Sequence, residues 1–216
     1  MKLVVRGHYW SSKKLLISIL WGIGFFAISL VINYLAGSYA TAHVSNPVND
    51  LILDNLPTVD VDGIFIYGIV AFFLFVIGLL SFRPRRIPFV LKSFSLFLVV
   101  RSFFIILTHL APSVHQAPLD STSFIVNTFT FTGDLFFSGH TGLPFLMALV
   151  FWDEKVLRWI FLITAFLFGI VVLLGHFHYS IDVFAAFFIT FGIYKISERL
   201  FTKDFHLFNS ATKKRT

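Results

Sequence analysis

Two histidines, an aspartate and an arginine have the types and spacing for chemistry in this chain. His140 stands in Ser138-Gly139-His140-Thr141, where polar residues and a glycine lead straight into an apolar run. The first N–H groups of a helix lack intrahelical partners, and the helix dipole favours an anion there. Ser138 is placed to cap such a start or to donate to a phosphate oxygen. Gly139 lets the backbone come close, and His140 is placed to pass a proton. His178 and Asp182 are four residues apart, so on a helix they share one face. An aspartate that accepts the imidazole Nδ1–H fixes the tautomer and leaves Nε2 free as nucleophile or base. Arg101 interrupts an apolar run, where a charge faces a cavity or a partner. These groups suffice for phosphoryl transfer through a phosphohistidine. His178 attacks phosphorus, His140 protonates the leaving oxygen and then deprotonates the acceptor, and helix N–H groups with Arg101 hold the developing charge.

Each piece also has a plainer reading. Ser138 serves as an N-cap and His140 as an interfacial histidine; His178 and Asp182 form a structural pair; Arg101 snorkels to the outer interface. A metal site is the chemical rival, since His140, His176, His178 and Asp182 are acceptable zinc ligands. His176 and His178 are only two apart and do not share a helical face, so no metal is expected and His176 is left without a role.

The elements that must position these residues are membrane helices. Of 216 residues, 57% are hydrophobic, 19% aromatic and 13% charged, and 30 are Phe. A soluble domain of this length could not hide so much apolar surface. The net charge is +6, but the basic residues flank apolar runs, which is an orientation signal of membrane proteins and gives no case for nucleic acid. The chain has no Cys, hence neither disulfides nor thiolate chemistry.

The pattern predicts an all-α fold, a single membrane domain over 1–216, with spans near 15–36, 63–82, 87–110, 141–152, 159–174 and 181–196. The fourth is short and starts below the surface. An N-terminal signal peptide is disfavoured because its apolar region would be too long. Seventeen Lys and Arg are present. All but Arg101 lie in the N-terminal flank, in or beside the turns at 83–92 and 153–158, or from Lys195 onward. The loops 37–62, 111–139 and 175–180 contain none. The positive-inside rule then predicts six crossings, both termini cytosolic and those three loops outside. Arg101, fifteen residues past Arg86, falls roughly 22 Å up from the cytosolic turn, in the outer half of the bilayer. Both histidines reach that same outer side.

Gly133-Asp134-Leu135-Phe136-Phe137-Ser138-Gly139-His140-Thr141 and His176-Phe177-His178-Tyr179-Ser180-Ile181-Asp182-Val183 resemble the paired active-site motifs of the sphingomyelin synthases. These are a branch of the type 2 phosphatidic acid phosphatase superfamily. Arg101-Ser102, with Thr108 and Leu110, resembles that branch's motif at the end of its third span. Pro47-Val48-Asn49-Asp50 resembles its first-outer-loop motif, and Ala186, Ile189 and Thr190 fit its last span. The resemblance implies six spans, a non-cytosolic active site and a triad without metal or cofactor on His140, His178 and Asp182. Arg101, Ser138, Gly139, Asp134 and Tyr179 are the candidate phosphate- and substrate-binding residues. It also implies transfer of a phospho-headgroup from a membrane phospholipid to a lipid alcohol such as ceramide, releasing diacylglycerol.

There are departures. The wider superfamily's phosphatases carry an Arg shortly before their second His, and 171–175 has none, as in the synthase branch. Phe137, Phe187 and Phe188 stand where the synthases tend to have Tyr. Two other readings stay open: a lipid phosphatase using water on the same triad, and a non-enzymatic lipid or ion transporter. Against the transporter, the polar residues gather at one interface, not near midplane.

Overall fold

The computed structural model describes residues 12–119 and 131–212. Lys2, Arg6, Asp120, Lys213, Lys214 and Arg215 of the sequence reading lie outside them. Among the described residues there are seven α-helices, two short 3-10 turns and no strand. The helices are α1 Ser12–Ala42, α2 Asp62–Ser81, α3 Ile87–Leu107, α4 Gly139–Val150, α5 Lys155–Leu174, α6 Ser180–Leu200 and α7 Thr202–Thr212.

The short helix α4 is the axis of the bundle. Nine of its residues are buried, from Thr141 through Pro144 and from Leu146 through Val150. It packs between α5 and α6 and touches α3; α1 lies along α3, and α2 leans chiefly on α5. Thr141 and Gly142 continue the helix that Ser138 caps, and the charged knot at Asp153-Glu154 ends the apolar run. Pro144 sits inside α4, which deprives the carbonyl of His140 of its usual helical donor.

Five helices, α1, α2, α3, α5 and α6, are long and apolar enough to cross a bilayer. At twelve residues, α4 is only about 18 Å long, short of a hydrocarbon core of about 30 Å. The outward faces of α1 and α5 carry Leu20, Trp21, Ile28, Val31, Ile163 and Phe166, all exposed, as lipid-facing residues are.

Two helices run further than hydropathy indicates. α1 continues through Gly37 to Ala42, a stretch with no proline to stop it, where the chain before α4 packs on it. α6 runs on to Leu200, with Lys195 and Glu198 paired at 2.8 Å on its surface.

The sequence reading leaves residues after Ser197 as a tail, but α7 folds back there. Phe205 and Phe208 meet Phe89, and Phe208 meets Phe151. Lys92 reaches Asp204 at 2.6 Å, and Ser18 donates to the same carboxylate at 2.6 Å, so α1, α3 and α7 are joined by one buried polar cluster. Arg83 and Arg86 both pair with Glu154, and Arg86 lies over the rings of Phe151 and Phe208. This end of the bundle is locked by charge as well as by aromatics, and the opposite end holds the site.

Candidate functional site

The chain enters α4 through a strained turn. Phe137 has φ 35°, in the left-handed region that a bulky residue rarely adopts. Its ring is wholly buried and meets Phe97 edge-on at 5.3 Å and Phe104 at 6.0 Å. That aromatic nest anchors the turn. Ser138 N–H then donates to the Asp182 carbonyl at 3.0 Å, stitching the start of α4 to the start of α6. Just upstream, Gly133 passes so close to α1 that a Cβ would lie 2.4 Å from the backbone of Ala40. Glycine is required there because backbone, unlike a side-chain tip, cannot give way.

His140 and His178 line one cavity of about 250 Å³ together with Arg101, Asp134 and Gly139. Each histidine is held by a main-chain carbonyl. His178 Nδ1 donates to Leu135 O at 2.8 Å, and His140 Nε2 donates to Phe65 O at 3.1 Å. A carbonyl only accepts, so these contacts place the protons: His178 keeps Nε2 free and His140 keeps Nδ1 free. The ring of Phe65 also stacks on His140 with centroids 4.0 Å apart.

Asp182 is placed differently from the expectation. It is fully buried, with Oδ2 3.6 Å from His178 Nδ1, beyond hydrogen-bond reach. That oxygen accepts the Tyr179 N–H at 2.9 Å and so caps α6. The atom that fixes the His178 tautomer is therefore the Leu135 carbonyl, while Asp182 supplies a negative charge beside the ring.

Arg101 is buried, 7% exposed, and does not snorkel. Its Nη1 lies 2.6 Å from Asp134 Oδ1 and donates to Oδ2 at 2.7 Å; Nε donates to Phe137 O at 3.1 Å. Nη2 has only a long contact, 3.5 Å, to the Asp134 carbonyl. The guanidinium lies beside Gly139, where a Cβ would come within 3.5 Å of Nε. Asp134 is thus the counter-ion of Arg101 at the cavity wall.

Besides Asp182, which sits behind His178, two more candidates do not line the cavity. Ser138 is buried and its Oγ accepts the Thr141 N–H at 3.4 Å, the plain capping role. Tyr179 is buried at the head of α6, where its hydroxyl donates to Ala111 O at 2.8 Å and accepts from Val48 N–H at 3.2 Å. Burial pushes its phenol above the ordinary range, so it stays protonated. His176, at φ 53°, also turns to structure: its Nε2 donates to Leu56 O at 3.1 Å. Among the described residues no group of three or more His, Asp or Glu stands together as metal ligands would, and the four-residue set weighed from sequence is not assembled.

One residue without an assigned role in the sequence holds the second motif in place. Asp50, buried in the first outer loop, accepts N–H groups from Ile52 at 2.9 Å, Leu53 at 3.1 Å and Ser180 at 2.7 Å. Burial works against its charge, but these N–H groups outweigh it and hold the carboxyl below the usual range. A group whose folded pKa is depressed stabilises fully above its unfolded value and loses that contribution as pH falls through the folded value. Replacing Asp50 with Ala is expected to cost about 1–3 kcal/mol, the penalty of stranding buried donors. Asp50→Asn is expected to flatten the fall in melting temperature below about pH 4. Thermal melts from pH 3 to 7 check both, and equal pH profiles would remove Asp50 from that role.

Residues 132–199, which span α4, α5 and most of α6, match the family described as PAP2 superfamily C-terminal. The match takes in His140, His178 and Asp182 and supports the type 2 phosphatidic acid phosphatase superfamily, whose chemistry is phosphatase or phosphotransferase action on lipid phosphates. With five long apolar helices, it is consistent with a multi-pass membrane protein. No curated protein and no solved structure matches the chain.

Proposed function

We propose that the protein is a lipid phosphotransferase of the sphingomyelin synthase kind. It moves a phosphocholine- or phosphoethanolamine-type headgroup from a glycerophospholipid to a lipid alcohol. The reading is carried by the two histidines on one cavity, each with one ring nitrogen tied to a carbonyl and the other left for chemistry.

His178 Nε2 attacks phosphorus; the P–N bond forms as the P–O bond to diacylglycerol breaks. His140, in its cationic form, gives the departing oxygen the proton from Nδ1. The acceptor hydroxyl then returns a proton to His140 as its oxygen attacks phosphorus and the P–N bond breaks. Ser138 occupies the N–H groups of Thr141 and Gly142, which leaves those of Gly139 and His140 for a phosphate oxygen. Arg101 Nη2 is the side-chain donor beside them. Asp182 steadies the positive charge that His178 gains.

The synthase-like details rest on Arg101-Ser102, on the lack of Arg in 171–175, and on the Asp50 loop that holds the head of α6. In this reading both termini are cytosolic, as the basic flanks argue, α4 makes the sixth crossing and the site lies on the non-cytosolic face. The shortness of α4 recesses that site below the surface.

Purified protein with phosphatidylcholine or phosphatidylethanolamine and a fluorescent ceramide or diacylglycerol tests the reading. A new fluorescent phospholipid, absent with His178→Ala, is expected. Inorganic phosphate from phosphatidic acid without any new lipid would instead establish a phosphatase. Neither product would return the transport reading.

A further inference from the structure

A second pair of histidines lies at the end of the bundle that holds the site, and neither lines the cavity. His43 follows the last residue of α1, and His109 stands just past the end of α3. Both are exposed, and their ring centroids are 5.6 Å apart. The backbone fixes their relative position. Ser45 N–H donates to the His109 carbonyl at 2.8 Å, and Ala111 N–H donates to Asn46 O at 3.3 Å, so residues 45–46 run beside 109–111. His43 Nδ1 donates to Tyr39 O at 2.8 Å, and the Tyr39 ring stacks on the imidazole with centroids 4.1 Å apart. A carbonyl only accepts, so the proton sits on Nδ1 and Nε2 carries a lone pair. Metal-binding histidines are held in this way, with the other ring N–H given to a carbonyl or a carboxylate. The His109 ring meets Tyr39 and His43 but makes no hydrogen bond among the described residues, so neither of its nitrogens is committed to one.

We infer that His43 and His109 form a surface site for a late divalent transition metal of the zinc, nickel and copper class. Imidazole suits these ions, whereas Mg²⁺ and Ca²⁺ take oxygen ligands. A metal bound about 2.0–2.1 Å from a nitrogen of each ring lies about 3.2 Å from each centroid, which puts the centroids about 5 Å apart at a tetrahedral angle. The observed 5.6 Å is close to that, and exposed side chains can turn to close the difference. Water fills the remaining positions, so no third side chain is needed. The metal ties the end of α1 to the chain after α3. The same strip carries Val48 and Ala111, the partners of the Tyr179 hydroxyl at the head of α6, so the tie stiffens the loops that hold the second motif.

The test needs no turnover and stands apart from the reaction proposed above. Zn²⁺ is titrated by calorimetry into untagged, metal-stripped protein in detergent. Wild type is expected to bind a Zn²⁺ whose affinity falls at least about tenfold in His43→Phe and in His109→Phe, since either variant leaves a single imidazole and loses the chelate. Phe keeps a ring against Tyr39, and thermal melts without metal show whether each variant folds as wild type does. Where a Phe variant melts lower, His43→Gln or His109→Gln repeats the comparison. A well-folded variant at either position that keeps the wild-type affinity overturns the inference. Zinc held by the catalytic pair would survive both substitutions and vanish with His178→Ala, and that result overturns it too.

Discussion

Replacing His178 with alanine is expected to lower headgroup turnover by at least about 10⁴-fold, because the proposed nucleophile is then gone and His140 is left only its acid–base part. Donor labelled in its phosphate should leave acid-labile, base-stable label on wild-type protein and none on the variant. Residual turnover within about tenfold of wild type would end the nucleophile assignment. Asp182→Asn is expected to fall between, near a hundredfold loss. An asparagine there still accepts the Tyr179 N–H, and the Leu135 carbonyl still holds the ring, so only the charge beside His178 is lost. A loss as deep as that of His178→Ala would mean that Asp182, not the carbonyl, sets the tautomer.

The second large effect is on stability. Asp134→Ala strands the buried guanidinium of Arg101, and removing one partner of such a pair costs about 3–5 kcal/mol. The melting temperature of detergent-solubilised protein reads it. Adding Arg101→Leu should restore most of the loss, because the orphaned charge is then gone and an apolar residue fills its place. The double variant should stay poor in turnover, since Nη2 of Arg101 is missing from the phosphate site. If the second substitution recovers nothing, the loss comes from the loop carrying Asp134 and not from the ion pair.

Hydropathy and basic flanks located five long helices to within a few residues at most ends, because lipid demands uninterrupted apolar runs. The histidine pair was equally legible: a polar cap before an apolar run and an i, i+4 pair are side-chain signals. α7 was not, since its Phe205 and Phe208 sit among charges that read as a solvated tail until Asp204 finds Lys92. The burial of Arg101 was legible as a cost, but its answer in Asp134 was not, because thirty-three residues separate them. Asp50 stood in a first-outer-loop stretch that resembles a family motif, but its partner was not legible, because only folding brings it to Ser180.

The orienting atoms of both histidines belong to peptide groups, Leu135 O and Phe65 O. Every residue type, proline included, offers the same carbonyl, so an alanine scan passes over both positions without registering these contacts. Selection acting on side chains is equally blind to them; it sees only the turn that aims the oxygen. The route to that information is chemical: a backbone ester at the following residue weakens the carbonyl as an acceptor while leaving every side chain in place. Genetic maps of this site will therefore understate it, drawing two histidines where the working unit is two histidines and the main chain that holds them.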